Sequence, residues 1–342
     1  MEPADKAVLR LAIGLGVAVL IAYGLALPLP YVVCLLAVLV LCKPEPPLPL
    51  LKAAVVAALL ALLLVAGVLM VPLLENYPLS GVLLTGVVLH GLFFFGLRSG
   101  SPVTVILVVS FTLVPVAGVA EQGLVTIISV ALAAGIAVGG LASSISHAFF
   151  PDAAQPARKA AKPPGVSRAA ANWIALRGML VVLPAFVLAL SNPSFYLAAI
   201  MKTVTLGQQA CTTDTRSAGR ELVGSTLMGA AMALVVWFGL SLWPSLWMLL
   251  CWLMAAAFWA GVRLYGVRAT RFSPSFWNSA LITMLILLGP AIEDSANGQG
   301  VLAASAVRVG LYVAVAAYAW AIVWALERWR AARTGVQLLP RG

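Results

Sequence analysis

Long apolar runs separated by short polar breaks cut this chain into twelve segments, at roughly 7–27, 29–42, 48–70, 79–97, 102–119, 123–142, 177–190, 194–206, 220–241, 244–262, 275–291 and 299–326. Runs this long with so few charges predict transmembrane helices. The expected fold is all-α, a polytopic membrane protein with about 12 transmembrane segments. Alternate breaks carry opposite chemistry. One set holds Lys6 and Arg10, Lys43 and Lys52, Arg98, the run Arg158, Lys159, Lys162, Arg168 and Arg177, then Arg216 and Arg220, Arg263, Arg268 and Arg271, and Arg328, Arg330, Arg333 and Arg341. The other set holds no Lys or Arg, only Glu75, Glu121, Glu293 and Asp294. The positive-inside rule makes the basic side cytoplasmic, so both termini are expected there, in a bacterial inner membrane. The first run resembles a signal peptide, but removing it would break the charge alternation, and it is read as a span.

Composition narrows the function. Hydrophobic residues make up 63% of the chain and charged ones 9%, which excludes a soluble fold. The net charge of +10 is explained by topology, so it is no sign of nucleic-acid binding. Cys34, Cys42, Cys211 and Cys251 have no paired spacing and read as small buried residues, neither disulfides nor metal ligands. No zincin, nucleophile-elbow or Walker pattern is present, so neither an enzyme nor a cofactor is expected.

Laying Arg177 under Arg10 brings the second six segments into step with the first. The expected organisation is a six-span repeat over 1–150, a cytoplasmic linker over 151–172, a second six-span repeat over 173–330 and a cytoplasmic tail over 331–342. An even number of spans per repeat implies a pseudo-twofold axis along the membrane normal. In each half the second segment follows a Pro corner (Pro28-Leu29-Pro30; Asn192-Pro193-Ser194) and is short for a bilayer core of about 30 Å. Short spans at matching positions point to a transport site, with re-entrant packing elements as the alternative.

Subtracting the basic loop residues leaves Lys202 and Arg308 inside spans, together with His90. Counted from the acidic side, all three fall near one level at the bilayer centre. No span carboxylate is expected to pair with either cation, and burying one costs about 2.5 to 3.5 kcal/mol, so a hydrated cavity that admits an anion is the simplest compensation. Thr205 and Gln209 share the Lys202 face and complete a candidate substrate site. Alternatives are snorkelling for Lys202, backbone carbonyls for Arg308, and a structural hydrogen bond for His90, which otherwise is the candidate for proton coupling. Trp252, Phe258 and Trp259 sit deep enough to stack on a substrate or to pack, and Gly135 and Gly139 allow close helix approach.

The run from Asn192 through Pro193, Phe195, Tyr196 and Ile200 to Gln208, then Arg216 and Arg220 leading into Gly224-Ser225-Thr226 and Gly229-Ala230, resembles the fusaric acid resistance and aromatic acid exporter superfamily. The chain is closest in form to a short membrane-only branch. It lacks the large cytoplasmic domain that members carry after six spans, and Ser225 interrupts the usual Gly-Thr pair. The resemblance implies an inner-membrane secondary exporter of small, aromatic organic anions, working with a periplasmic membrane-fusion adaptor and an outer-membrane channel. Related plant proteins are malate-type anion channels. A passive organic-anion channel and a non-transporting scaffold for an adaptor stay open, as does homo-oligomerisation.

Overall fold

The computed structural model describes residues 2–42, 66–99, 103–151, 168–212, 217–296 and 301–334. Among them the helices are α1 (Pro3–Gly24), α2 (Pro30–Leu41), α3 (Ala66–Asn76), α4 (Pro78–Ser99), α5 (Val103–Ala120), α6 (Gln122–Phe149), α7 (Arg168–Ser191), α8 (Pro193–Thr212), α9 (Ala218–Leu242), α10 (Leu246–Leu264), α11 (Pro274–Ala296) and α12 (Val301–Thr334). Eight are long and apolar enough to cross a membrane: α1, α4, α6, α7, α9, α10, α11 and α12. The protein is therefore a multi-pass membrane protein in contact with the bilayer. Three apolar helices or parts of helices are shorter: α2, α3 and the Leu107–Ala120 part of α5. Most of the expected third span, 48–70, and most of the expected linker lie outside the described residues, although α7 already starts at Arg168.

The second segment of each half turns out differently from its partner. α2 is short, as expected, at 12 residues, and is entered through a tight corner in which Ala26 and Leu29 take positive φ beside Pro28 and Pro30. α8 corrects the expectation of a short span over 194–206, because it continues without a break to Thr212, for 20 residues. The polar stretch through Gln208 and Gln209 hides this extension from a hydropathy reading, yet it lies inside protein, where intrahelical bonds satisfy the backbone.

Helices α2, α5, α8 and α11 form the buried centre. α2 packs on α11 and α5 packs on α8, while α1 and α10, and α4 and α7, pair around them. Further out, α6 covers α2 and α12 covers α8. Close approach depends on glycine at a few points. A Cβ on Gly135 or Gly139 of α6 would lie 2.6 Å from Leu36 or 3.1 Å from the Ala37 backbone, so this pair does bring α6 onto α2. Gly289 of α11 makes room for Tyr31 of α2.

Helix ends gather in two sets. At the basic end, Lys6 and Arg10 of α1 donate to the Pro151 and Phe150 carbonyls after α6, and Tyr265 after α10 donates to the Leu41 carbonyl of α2. In the second half Arg177 of α7 pairs with Glu327 of α12 at 3.1 Å and donates to the Ala210 carbonyl of α8. Arg10 and Arg177 are thus buried tie points as well as topology markers, with 4% and 5% of their surface exposed. Trp173 also donates to Glu327 and stacks on Trp329. Of the cysteines, Cys34 and Cys211 are buried and Cys251 is exposed, against the expectation that all four are buried.

Candidate functional site

Between α8 and α11 lies a polar cavity of about 170 Å3, walled by Thr205, Gln208 and Gln209 on one side and Ser275, Asn278, Ser279 and Ile282 on the other. On α8 the spacing 205, 208, 209 puts the polar groups on one face, and 275, 278, 279, 282 does the same on α11. Two of the expected substrate residues, Thr205 and Gln209, are therefore brought together. The α11 half of the wall was missed by sequence reasoning. Its signal was present in the polar stripe Ser275, Asn278, Ser279 and Thr283, at helical spacing inside an otherwise apolar run.

Lys202 stands one turn deeper on α8, with none of its surface exposed. Its Nζ donates to Thr283 Oγ1 at 2.7 Å, and that hydroxyl donates in turn to the Ser279 carbonyl at 2.6 Å. Among the described residues no carboxylate forms an ion pair with Lys202. Lys202 is not snorkelling; it is sealed into the protein behind the cavity wall rather than lining the cavity as expected. Asn278 adds an unsatisfied group beside the cavity, because its Oδ1 is buried without a hydrogen-bond partner. An unpaired buried acceptor costs about 1 to 3 kcal/mol.

At the basic end of the cavity, Glu221 of α9 is 4% exposed and binds the start of α11. Its carboxylate accepts from Ser273 Oγ at 2.5 Å, Ser273 N at 3.4 Å and Ser275 Oγ at 3.4 Å. A negative charge at a helix N-terminus is favourable there. Gln209 Nε2 donates to the Glu221 carbonyl at 3.1 Å, and Ser225 bridges Gln209 and Ser279. A connected polar track thus runs from the basic end of the bundle to Lys202. Beyond Thr283, α11 is apolar from Met284 to Ala291 and buried throughout, which closes the track toward the acidic end.

Arg308 requires a correction. It is not an uncompensated cation: Asp294, expected in a loop, forms part of the last turns of α11, and its carboxylate meets Arg308 at 2.5 Å and 3.3 Å. Nor do Lys202 and Arg308 share a level. Their α11 partners, Thr283 and Asp294, are about 16 Å apart along the helix axis at 1.5 Å per residue. Tyr312, one turn from Arg308, is 1% exposed with its hydroxyl unpaired. His90 belongs to neither group. Its Nε2 lies 2.9 Å from Asn172 Oδ1 on α7, so the ring is held at the α4–α7 contact.

The motif residues act as packing and anchoring points. A Cβ on Gly229 would come within 2.5 Å of Thr283 Cβ and 2.6 Å of the Ala280 carbonyl, and Gly224 faces Phe276 at 3.2 Å. These glycines let α9 close on the face of α11 beside the one that lines the cavity. Pro193 opens α8, and Arg220 lies over the Phe272 ring at 5.8 Å. Arg216 falls outside the described residues.

Residues 7–142 match the model of a family described as "Protein of unknown function (DUF2955)". The match runs from α1 into α6 and does not reach the α8–α11 cavity. No curated protein and no solved structure matches the chain.

Proposed function

We propose that this protein is a secondary exporter of small, aromatic organic anions, with the α8–α11 cavity as its substrate site. The observation that carries the reading is Lys202, a fully buried amine whose bonded partner is a neutral hydroxyl, one turn along α8 from the Thr205 wall of a polar cavity. An anion entering that cavity supplies the charge that the protein omits. Thr205, Gln208, Asn278 and Ser279 orient it, and movement of the Lys202 side chain past Thr283 brings the ammonium to it.

On this reading the chain is two six-span repeats about a pseudo-twofold axis. The packing supports it: exchanging the halves converts α1 on α2 into α7 on α8, α1 on α10 into α7 on α4, α2 on α11 into α8 on α5, and α2 on α6 into α8 on α12. The basic helix ends then face the cytoplasm of a bacterial inner membrane, and the cavity opens toward them. A periplasmic membrane-fusion adaptor and an outer-membrane channel would carry the substrate onward, as the resemblance of the Pro193 to Ala230 stretch implies.

Efflux from inverted vesicles tests this. Lys202→Ala should abolish accumulation of aromatic carboxylates while membrane abundance stays at the wild-type level, and full activity in that variant removes the reading. Accumulation against a gradient by the unaltered protein separates an exporter from a passive channel. If no organic anion moves in either direction, a non-transporting scaffold for an adaptor is favoured instead.

A further inference from the structure

A second, larger cavity lies away from the substrate site. Between α9 and α10 an apolar groove of about 380 Å3 is walled by residues including Met228, Met232, Val235, Trp252, Ala255 and Trp259. Val235 is 58% and Trp259 40% exposed, so the groove opens on the outer surface of the helix bundle, where lipid lies. From Met228 to Val235 the wall runs about 10 Å along α9, at 1.5 Å per residue.

The basic end of this groove is built differently from its walls. One turn beyond Trp259, Arg263 sits over the indole, its guanidinium carbon 3.9 Å from the ring centroid, and donates to the Trp259 carbonyl at 2.8 Å. The same guanidinium is 5.2 Å from the ring of Trp277, which packs edge-on against Trp259. After the helix the chain folds back, with Arg268 N bonded to the Val262 carbonyl at 3.0 Å, which brings the Arg268 charge close enough to act on Arg263. Arg271 follows in the same connection. Among the described residues none of these three arginines forms an ion pair. Stacking fixes the direction of Arg263 without neutralising it.

We propose that this face is a binding site for one anionic phospholipid of the leaflet at the basic end, with an acyl chain in the α9–α10 groove and the headgroup phosphate on Arg263 and Arg268. The apolar walls suit a chain and nothing charged. The unpaired arginines discriminate by headgroup, each contributing on the order of 1 kcal/mol near a membrane surface. Annular lipid would fill the groove with any headgroup, whereas this arrangement selects a negative one.

Native mass spectrometry of the detergent-purified protein, titrated in parallel with phosphatidylglycerol and phosphatidylcholine, tests the site. Phosphatidylglycerol should bind roughly thirtyfold more tightly, as expected from two arginine contacts near a surface. Arg263→Gln with Arg268→Gln should bring its affinity down to that of phosphatidylcholine. Ala255→Phe, which fills the groove, should remove binding of both lipids. Ala231→Phe on the opposite wall should repeat that result, so that misfolding of one variant does not decide the matter. Equal affinity for the two lipids in the unaltered protein overturns the proposal. So does full competition by soluble glycerol phosphate, which would mark a site for free phosphate. Conversion of a dimer to a monomer by Ala255→Phe with lipid stoichiometry unchanged also overturns it, because the groove would then be covered by a second copy of the chain.

Discussion

α2 and α8 each follow a proline corner, each pack against α11, and each run through the centre of the bundle, yet they bury opposite chemistry. From Tyr31 to Leu39 every residue of α2 is buried, and apart from the Tyr31 hydroxyl none carries a polar side-chain group stronger than a thiol. In the same setting α8 buries Lys202, Thr203, Thr205 and Gln209. The central position is thus filled well by Val, Leu and Ala alone, and packing does not require the polar groups of α8. They carry desolvation costs that α2 avoids. What they provide is a cavity with a cation behind it, which points to binding rather than folding as the reason for their presence.

Exchanging the chemistry of the two helices should give the largest effect. Leu36→Lys puts an ammonium into α2 with no hydroxyl aligned to receive it, and a buried unpaired charge costs on the order of 3 to 5 kcal/mol. The variant should fail to give monodisperse protein on size exclusion in detergent. The converse change, Lys202→Met, removes a charge from a site already shaped for a long unbranched side chain. It should leave the melting temperature at or above the wild-type value while efflux is lost. A Lys202→Met protein that unfolds would mean that the ammonium is structural and that the two helices differ for packing reasons after all.

Gly229→Ala examines how α9 supports the polar side of the bundle. The added methyl meets Thr283 Cβ at 2.5 Å and the Ala280 carbonyl at 2.6 Å, and backbone cannot step aside cheaply. Overpacking of this kind costs about 1 to 3 kcal/mol, more than the roughly 1 kcal/mol that alanine gains over glycine in a helix. A fall in melting temperature is expected, together with a larger fall in efflux, because Thr283 is the residue that holds Lys202. A smaller effect belongs to the acidic end. A double-mutant cycle on Arg308→Leu and Asp294→Leu, followed by thermal unfolding, should return a coupling of about 1 to 2 kcal/mol, the range for a partly buried contacting pair. Independence of the two changes would reopen Arg308 as an unpaired cation.

Much of this arrangement was legible in the sequence, and the gaps have physical causes. Apolar runs located the described helices, because membrane insertion leaves a one-dimensional record, but α6, α7, α8 and α12 each extend about six to nine residues past the expected bounds into polar sequence. Lys202, Thr205 and Gln209 could be picked out because a polar residue in an apolar run has few harmless explanations. The same rule applied to Ser275, Asn278, Ser279 and Thr283, but hydroxyls and amides raise no charge alarm in a hydropathy profile. Asp294 was misplaced because a carboxylate near a span end reads as loop unless its partner on the next helix is known. The full length of α8 was hidden for the opposite reason, since Gln208 and Gln209 resemble a loop to any scale that assumes lipid on all sides.

His90 offers the smallest expected effect and the finest cut through the comparison. Its bonded neighbour, Asn172, is exposed on α7, and among the described residues no hydrogen bond joins it to the polar track between α8 and α11. His90 is half-buried and its Nδ1 has no partner, and a glutamine at position 90 has an amide donor that can reach the same Asn172 oxygen, so stability should change by less than about 1 kcal/mol. If proton coupling belongs to the α8–α11 side, His90→Gln keeps the dependence of efflux on an imposed pH gradient, measured in the same vesicles as Lys202→Ala, and we expect that outcome. Loss of that dependence with efflux otherwise intact would assign coupling to the α4–α7 contact. The α8–α11 side would then bind the anion and the α4–α7 contact would move the proton.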